Sequence, residues 1–182
     1  MKFPAFISGP PPDGFVEQAL CRGTKYLCLM THANPEAIPN FPKSNQLEYL
    51  DINSSNIEEE YFRQLILSCH KLTKLSVYYL IGQWKSADLV KGILQNALTL
   101  KVLDISKDKY EKLVPKQIKD IVKACVNLTE ANFGEIHRGE EWTSFVCENL
   151  TTKIRKLRLD KDFGFHFLSL LTSRILMRIF TK

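Results

Sequence analysis

The sequence predicts an α/β fold in which short parallel strands and helices alternate as a stack of repeats. Three observations carry that prediction. An L-x-x-L-x-L pattern, degenerate in its first and fifth copies, recurs from Thr24, Leu47, Leu72, Leu100, Leu128 and Ile154. These starts lie 23, 25, 28, 28 and 26 residues apart, inside the period of roughly 20–29 residues that marks one repeat of this kind. The intervals hold segments with apolar residues three and four apart, as in Ile118, Ile121, Val122 and Cys125, which is helical spacing. Together they give a leucine-rich-repeat solenoid of about six repeats. Its curved parallel β-sheet is expected on the concave face and its α-helices on the convex face.

The stretch Leu47–Leu75, LEYLDINSSNIEEEYFRQLILSCHKLTKL, sets the pattern most clearly. In an extended segment alternate side chains point to opposite faces. Leu50 and Ile52 therefore face one way, and Tyr49, Asp51 and Asn53 the other. A single repeat cannot bury its apolar face alone, whereas stacked copies make a continuous core.

Taken in order, residues 1–14 read as a disordered Pro-rich leader, because Pro10, Pro11 and Pro12 follow one another and no long apolar run precedes them. Residues 15–160 form the repeat domain. Helices are expected at Gly14–Gly23, Glu58–Lys71, Ser86–Leu98, Pro115–Val126 and Glu140–Asn149, with Pro115 suited to a helix start. Thr31–Ser44, with Pro35, Pro39 and Pro42, reads as irregular. Residues 161–182 are an apolar and basic segment, FHFLSLLTSRILMRIF at its centre, expected as a C-terminal helix that packs on the solenoid end or begins a truncated repeat.

Composition is that of an ordinary globular domain, with 45% apolar and 25% charged residues in 182. The net charge of +5 is placed unevenly: eight Lys or Arg and two Asp in 153–182 give +6 there, leaving −1 for residues 1–152. A nucleic-acid partner is not expected from a body without a clustered basic face. No uncharged apolar run reaches 18 residues, so no transmembrane segment is expected. The N-terminus lacks the apolar core of a secretory signal, so the protein is expected inside the cell, in nucleus or cytoplasm.

The five cysteines invite a metal or redox reading that their positions oppose. Cys21, Cys69 and Cys125 each stand three residues before a repeat start, where Ala97 holds the matching place. A small residue at a fixed repeat position is expected to pack at the helix-to-strand corner, since free Cys buries readily. Cys28 and Cys147 read similarly. No C-x-x-C occurs, so neither a metal nor a cofactor is expected. The sharper alternative pairs Cys69 with His70, or Cys125 with His137, as nucleophile and base. Sequence neighbours on a helix point in different directions, however. No nucleophile elbow, zinc-protease or phosphate-loop motif appears either. The chain is therefore not expected to be an enzyme. Sequons at Asn53, Asn127 and Asn149 are read as unused, and Glu58–Glu60 as the acidic first turn of a helix.

The quoted stretch, with NALTLKVLDIS, ACVNLTEANF and ENLTTKIRKLRLD, resembles the cysteine-containing repeats of F-box/leucine-rich-repeat proteins over about residues 20–160. The resemblance rests on the L-D-I-S type of strand and the S-C-x-x-L helix end. It implies substrate recognition for an SCF-type ubiquitin ligase, in which an F-box recruits the Skp and cullin machinery and the repeats hold a protein substrate. No F-box is legible before Gly14, so that docking would require one upstream. The alternative is an independent leucine-rich-repeat scaffold or inhibitor with no ligase connection.

Alternation then nominates the binding face. Outward residues are Tyr49, Asp51 and Asn53; Lys74, Ser76 and Tyr78; Val102, Asp104 and Ser106; Glu130 and Asn132; and Lys156, Arg158 and Asp160. The two tyrosines are the expected hot spots, since each offers a large area with a polar tip.

Overall fold

Short apolar strands that recur at a near-constant interval have one economical solution, in which each pairs with the next. In the computed structural model, which describes residues 5–7, 14–29, 41–42, 45–53, 59–78, 86–105, 113–133, 154 and 156–158, they do so. The elements run β1 (Ala5–Ile7), α1 (Phe15–Cys21), β2 (Tyr26–Leu29), β3 (Tyr49–Asn53), α2 (Glu59–Ser68), β4 (Lys74–Tyr78), α3 (Ser86–Gln95), β5 (Val102–Asp104), α4 (Pro115–Ala124), β6 (Glu130–Asn132) and β7 (Lys156–Arg158). The seven strands form one sheet in chain order, every pair parallel. The fold is thus α/β with a parallel sheet and four helices.

The register is that of the sequence repeat. Leu27, Leu50, Leu75, Leu103, Ala131 and Leu157 are successive partners across the sheet. The first five are at most 3% exposed. Leu29, Ile52 and Val77 make a second buried row. These rows join Val16 and Leu20 of α1, Phe62, Leu65 and Ile66 of α2, Leu89 and Ile93 of α3, and Ile118 and Ile121 of α4 in a single apolar cluster. All four helices therefore cover the same face of the sheet. Each fully buried Leu or Ile contributes about 1.5–3 kcal/mol relative to exposure, so the stacked rows dominate the stability.

Entry into β4, β5 and β6 repeats one hydrogen-bond device. The carbonyl of Glu48 accepts from the N–H groups of Thr73 and Lys74, that of Thr73 from Lys101 and Val102, and that of Lys101 from Thr129 and Glu130. Threonine adds its hydroxyl where it stands at this corner, as Thr73 does to Glu48 O at 3.0 Å.

Helix ends follow local chemistry. Gly23, at φ 73°, closes α1: its N–H donates to Leu20 O, and the Thr24 N–H reaches back to Ala19 O, the double bond of a Schellman turn. Gly14, at φ 72°, precedes the first turn. Both glycines thus flank α1 rather than belong to it. Pro115 opens α4, where the Gln117 side chain accepts the Val114 N–H at 2.9 Å. The helices stop two or three residues short of the sequence expectation, at Ser68, Gln95 and Ala124. There the chain turns to bring Leu72, Leu100 and Leu128 into the core.

Two expectations need correction. The leader is not without structure, since Ala5–Ile7 pairs in parallel with Leu27–Leu29. Cys21 is exposed, whereas Cys69 and Cys125 are buried as expected. The reason is helix length: Cys21 is still the last residue of α1, whereas Cys69 and Cys125 follow the ends of α2 and α4. In the first repeat Leu20 occupies the core instead. The expected helix Glu140–Asn149, Cys147, His137, Asn149 and the segment 161–182 lie outside the described residues. No helix among the described residues is long and apolar enough to cross a membrane.

Candidate functional site

The face of the sheet opposite the helices carries the side chains that the repeat leaves over. Register sets them in rows. One row runs Tyr26, Tyr49, Lys74, Val102 and Glu130, and the next Cys28, Asp51, Ser76, Asp104 and Asn132; in backbone register Lys156 and Arg158 pair with Glu130 and Asn132, and Asn53 with Tyr78. Each row follows from strand alternation against the buried leucines. The sequence-nominated residues Tyr49, Asp51, Lys74, Ser76, Asp104, Glu130 and Asn132 are thus brought together, and Asn53, Tyr78, Lys156 and Arg158 take their places by register. Ser106 and Asp160 lie outside the described residues.

At one end of the face the side chains interlock. The Tyr26 and Tyr49 rings stand 6.0 Å apart, tilted by 39°. The Lys74 ammonium lies 4.7 Å from the centre of the Tyr49 ring, within cation–π range. The Tyr49 hydroxyl donates to Asp51 Oδ2 at 3.3 Å. Tyr26 is 44% exposed, so the aromatic pair is open to a partner. Sequence reasoning left Tyr26 out and read Cys28 as a packing residue, although Leu27 and Leu29 alternate with them as Leu50 and Ile52 do with Tyr49 and Asp51.

The electrostatics of the second row are dominated by partial burial. Desolvation pushes the Asp51 carboxyl above its ordinary range, and the charge of Asp104 adds to that. The Tyr49 hydroxyl and the Lys74 charge act in the opposite sense without overcoming it. Asp51 Oδ1 is buried with no hydrogen-bond partner among the described residues. Burial also raises the Cys28 thiol, with Asp51 next in effect, which is the reverse of thiolate activation.

The Cys69–His70 pairing does not assemble. The Cys69 thiol is buried, donates to Leu65 O at 3.2 Å, and is pushed up to about 12, chiefly by burial. His70 is exposed and its Nδ1 lies 2.7 Å from Gln95 Nε2. Cys125 is likewise raised by burial, to about 11. Among the described residues no three His, Cys, Asp or Glu side chains are grouped as metal ligands.

The helical side offers a competing surface. An open groove of 540 Å³ is lined by Ala87, Val90, Lys91, Leu94 and Gln95 of α3 and Gln117 of α4. Its lining carries the charge of Lys91 but no acidic or aromatic side chain of the kind that converges around Tyr49. Comparison of the chain with protein-family models, with curated proteins and with solved structures yields no match.

Proposed function

We propose that the chain is a non-catalytic protein-interaction module, a leucine-rich-repeat solenoid whose open sheet face holds a protein substrate for an SCF-type ubiquitin ligase. The observation that carries the interaction role is the aromatic and charged cluster of Tyr26, Tyr49, Asp51 and Lys74 on the face the helices leave free. Tyrosine is favoured at binding hot spots because it adds large contact area at low entropic cost. Solenoids commonly recruit partners on such extended sheet surfaces.

The ligase role is supported by the likeness of the repeat motif to the F-box/leucine-rich-repeat family. The burial of Cys69 and Cys125 at equivalent corners fits that repeat pattern. Affinity capture from cell extract, with the native chain and a Tyr49→Ala, Tyr78→Ala double variant, tests both parts. The reading expects partners retained by the native chain and lost by the variant, with Skp and cullin proteins among the co-captured set. Partners that depend on the tyrosines without that machinery would make the chain an independent scaffold.

A further inference from the structure

The second row of the sheet face contains a slot with unmet hydrogen-bonding capacity. Asp51 on β3 and Asp104 on β5 flank Ser76 on β4, and the pairing register sets all three on one side of the sheet. Neighbouring strands lie about 4.8 Å apart, so the two aspartates are separated by about 9.6 Å along the row. Ser76 is its floor. It is 2% exposed. Beside it, Asp51 Oδ1 is buried with no hydrogen-bond partner among the described residues, while Oδ2 accepts the 3.3 Å bond from the Tyr49 hydroxyl. Buried polar groups without partners are uncommon and costly, and Asp51 Oδ1 is one, on the row that faces away from the helices.

The same face already holds a cation. The Lys74 ammonium lies over the Tyr49 ring, and its charge does not overcome the burial that raises the Asp51 carboxyl. The charge deficit is local, because the chain as a whole carries +5. Residues 1–152 sum to only −1, so long-range attraction for a basic ligand is weak and one that binds must be held by local contacts at this slot.

We propose that the slot receives a cationic side chain, an arginine, from the partner segment that lies on the sheet face. The guanidinium donates to the Asp51 carboxylate and to the Ser76 hydroxyl oxygen, with its plane against the Tyr49 ring. Arginine suits the site better than lysine because its rigid fork supplies several donors and stacks on aromatic faces. The inference rests on the sheet face being the partner surface and specifies what that face selects.

The test is fluorescence anisotropy at low ionic strength with a labelled peptide of arginines alternating with glycine, and its counterpart with citrulline in place of arginine. Citrulline keeps the shape and removes the charge. The arginine peptide is expected to bind about tenfold or more tightly than the citrulline peptide, a difference of about 1.4 kcal/mol. Asp51→Asn is expected to erase that preference, and Lys74→Met to tighten binding by removing the internal competitor. Equal affinity for the two peptides, or an undiminished preference in a folded Asp51→Asn variant, overturns the inference. If Asp51→Asn lowers the melting temperature, Lys74→Met decides alone: tighter binding supports the slot, and unchanged or weaker binding refutes it. A refuted slot with captured partners that still depend on Tyr49 leaves the sheet-face reading standing. Loss of both dependences removes both.

Discussion

The Asn96 side chain accepts the Leu72 N–H at 2.9 Å through Oδ1, so a residue at the end of one helix fixes the strand entry of the preceding repeat. Its Nδ2 donates to Cys69 O at 2.8 Å and to Gly92 O at 2.9 Å. Asn45 does related work one repeat earlier: its Nδ2 donates to Ser68 O, and its Oδ1 accepts the Leu47 N–H. Both asparagines are nearly fully buried. Asn96→Ala should lower the stability of the domain by about 2–4 kcal/mol, since it strands the buried Leu72 N–H and takes a bond from the Gly92 and Cys69 carbonyls, of which Cys69 O keeps the one from Gln95 Nε2. Asn96→Asp should cost at least as much near neutral pH, because a carboxylate would face those carbonyls. Denaturant unfolding of both variants checks the order, and an Asn96→Ala loss below ~1 kcal/mol would contradict this role.

A second close relationship holds α2 against α3. A β-carbon at Gly92 would lie 2.3 Å from Ile66 Cγ1, and Ile66 is fully buried. Gly92→Ala should therefore destabilise by about 1–3 kcal/mol through overpacking, despite the gain of about 1 kcal/mol in helix propensity. Ile66→Ala opens space at the same spot, so the double variant should be less destabilised than the two single losses combined. A double-mutant cycle with coupling near zero would contradict the contact.

The cysteines differ in accessibility. Cys21 should react first with a thiol reagent in the native protein, whereas Cys69 and Cys125, buried and raised to about 12 and 11, should stay protected until unfolding. Peptide mapping after brief native alkylation reads this directly. Early modification of Cys69 would contradict its burial.

The pH dependence of stability should carry the mark of Asp51. Burial raises its native value above the ordinary 3.8, so the folded state holds its proton more tightly than the unfolded chain. Its contribution is then fully present below that ordinary value and is lost as pH rises through the native one. Compared with an Asp51→Asn variant, the native chain should lose relative stability across that rise. Glu60 has the opposite sign. Hydrogen bonds from Arg63 and then Gln64 lower it to about 2, so its contribution fades as pH falls from its ordinary 4.5 toward that value. The Glu60 pair is solvent-exposed and its effect should be small. Unfolding curves taken on both sides of pH 4 would separate the two aspartate/asparagine forms; parallel curves would contradict the account.

Much of the architecture was legible because the buried leucines are periodic. Leu50, Leu75 and Leu103 announce the strands, and the register follows them. What escaped the sequence reading depends on neighbours rather than on period. Ala5–Ile7 is too short to display a pattern and becomes a strand only because β2 offers it an edge. Asn45 and Asn96 look like loop residues, and only the adjacent repeat's backbone explains their burial. Cys21 follows the cysteine spacing, but α1 runs one residue further and turns it outward. On the candidate face, alternation nominated Tyr49, Asp51 and Lys74. It could not reveal that Lys74 settles on Tyr49, or that Ser76 is 2% exposed on the side expected to face solvent.

The central claim is that partners engage the sheet face rather than the helical side. A photo-crosslinking residue at Val102, in the middle of the open rows, should trap a captured partner, whereas the same residue at Lys91 in the α3–α4 groove should not. Crosslinks at position 91 without any at position 102 would move the binding surface to the helices and contradict the account.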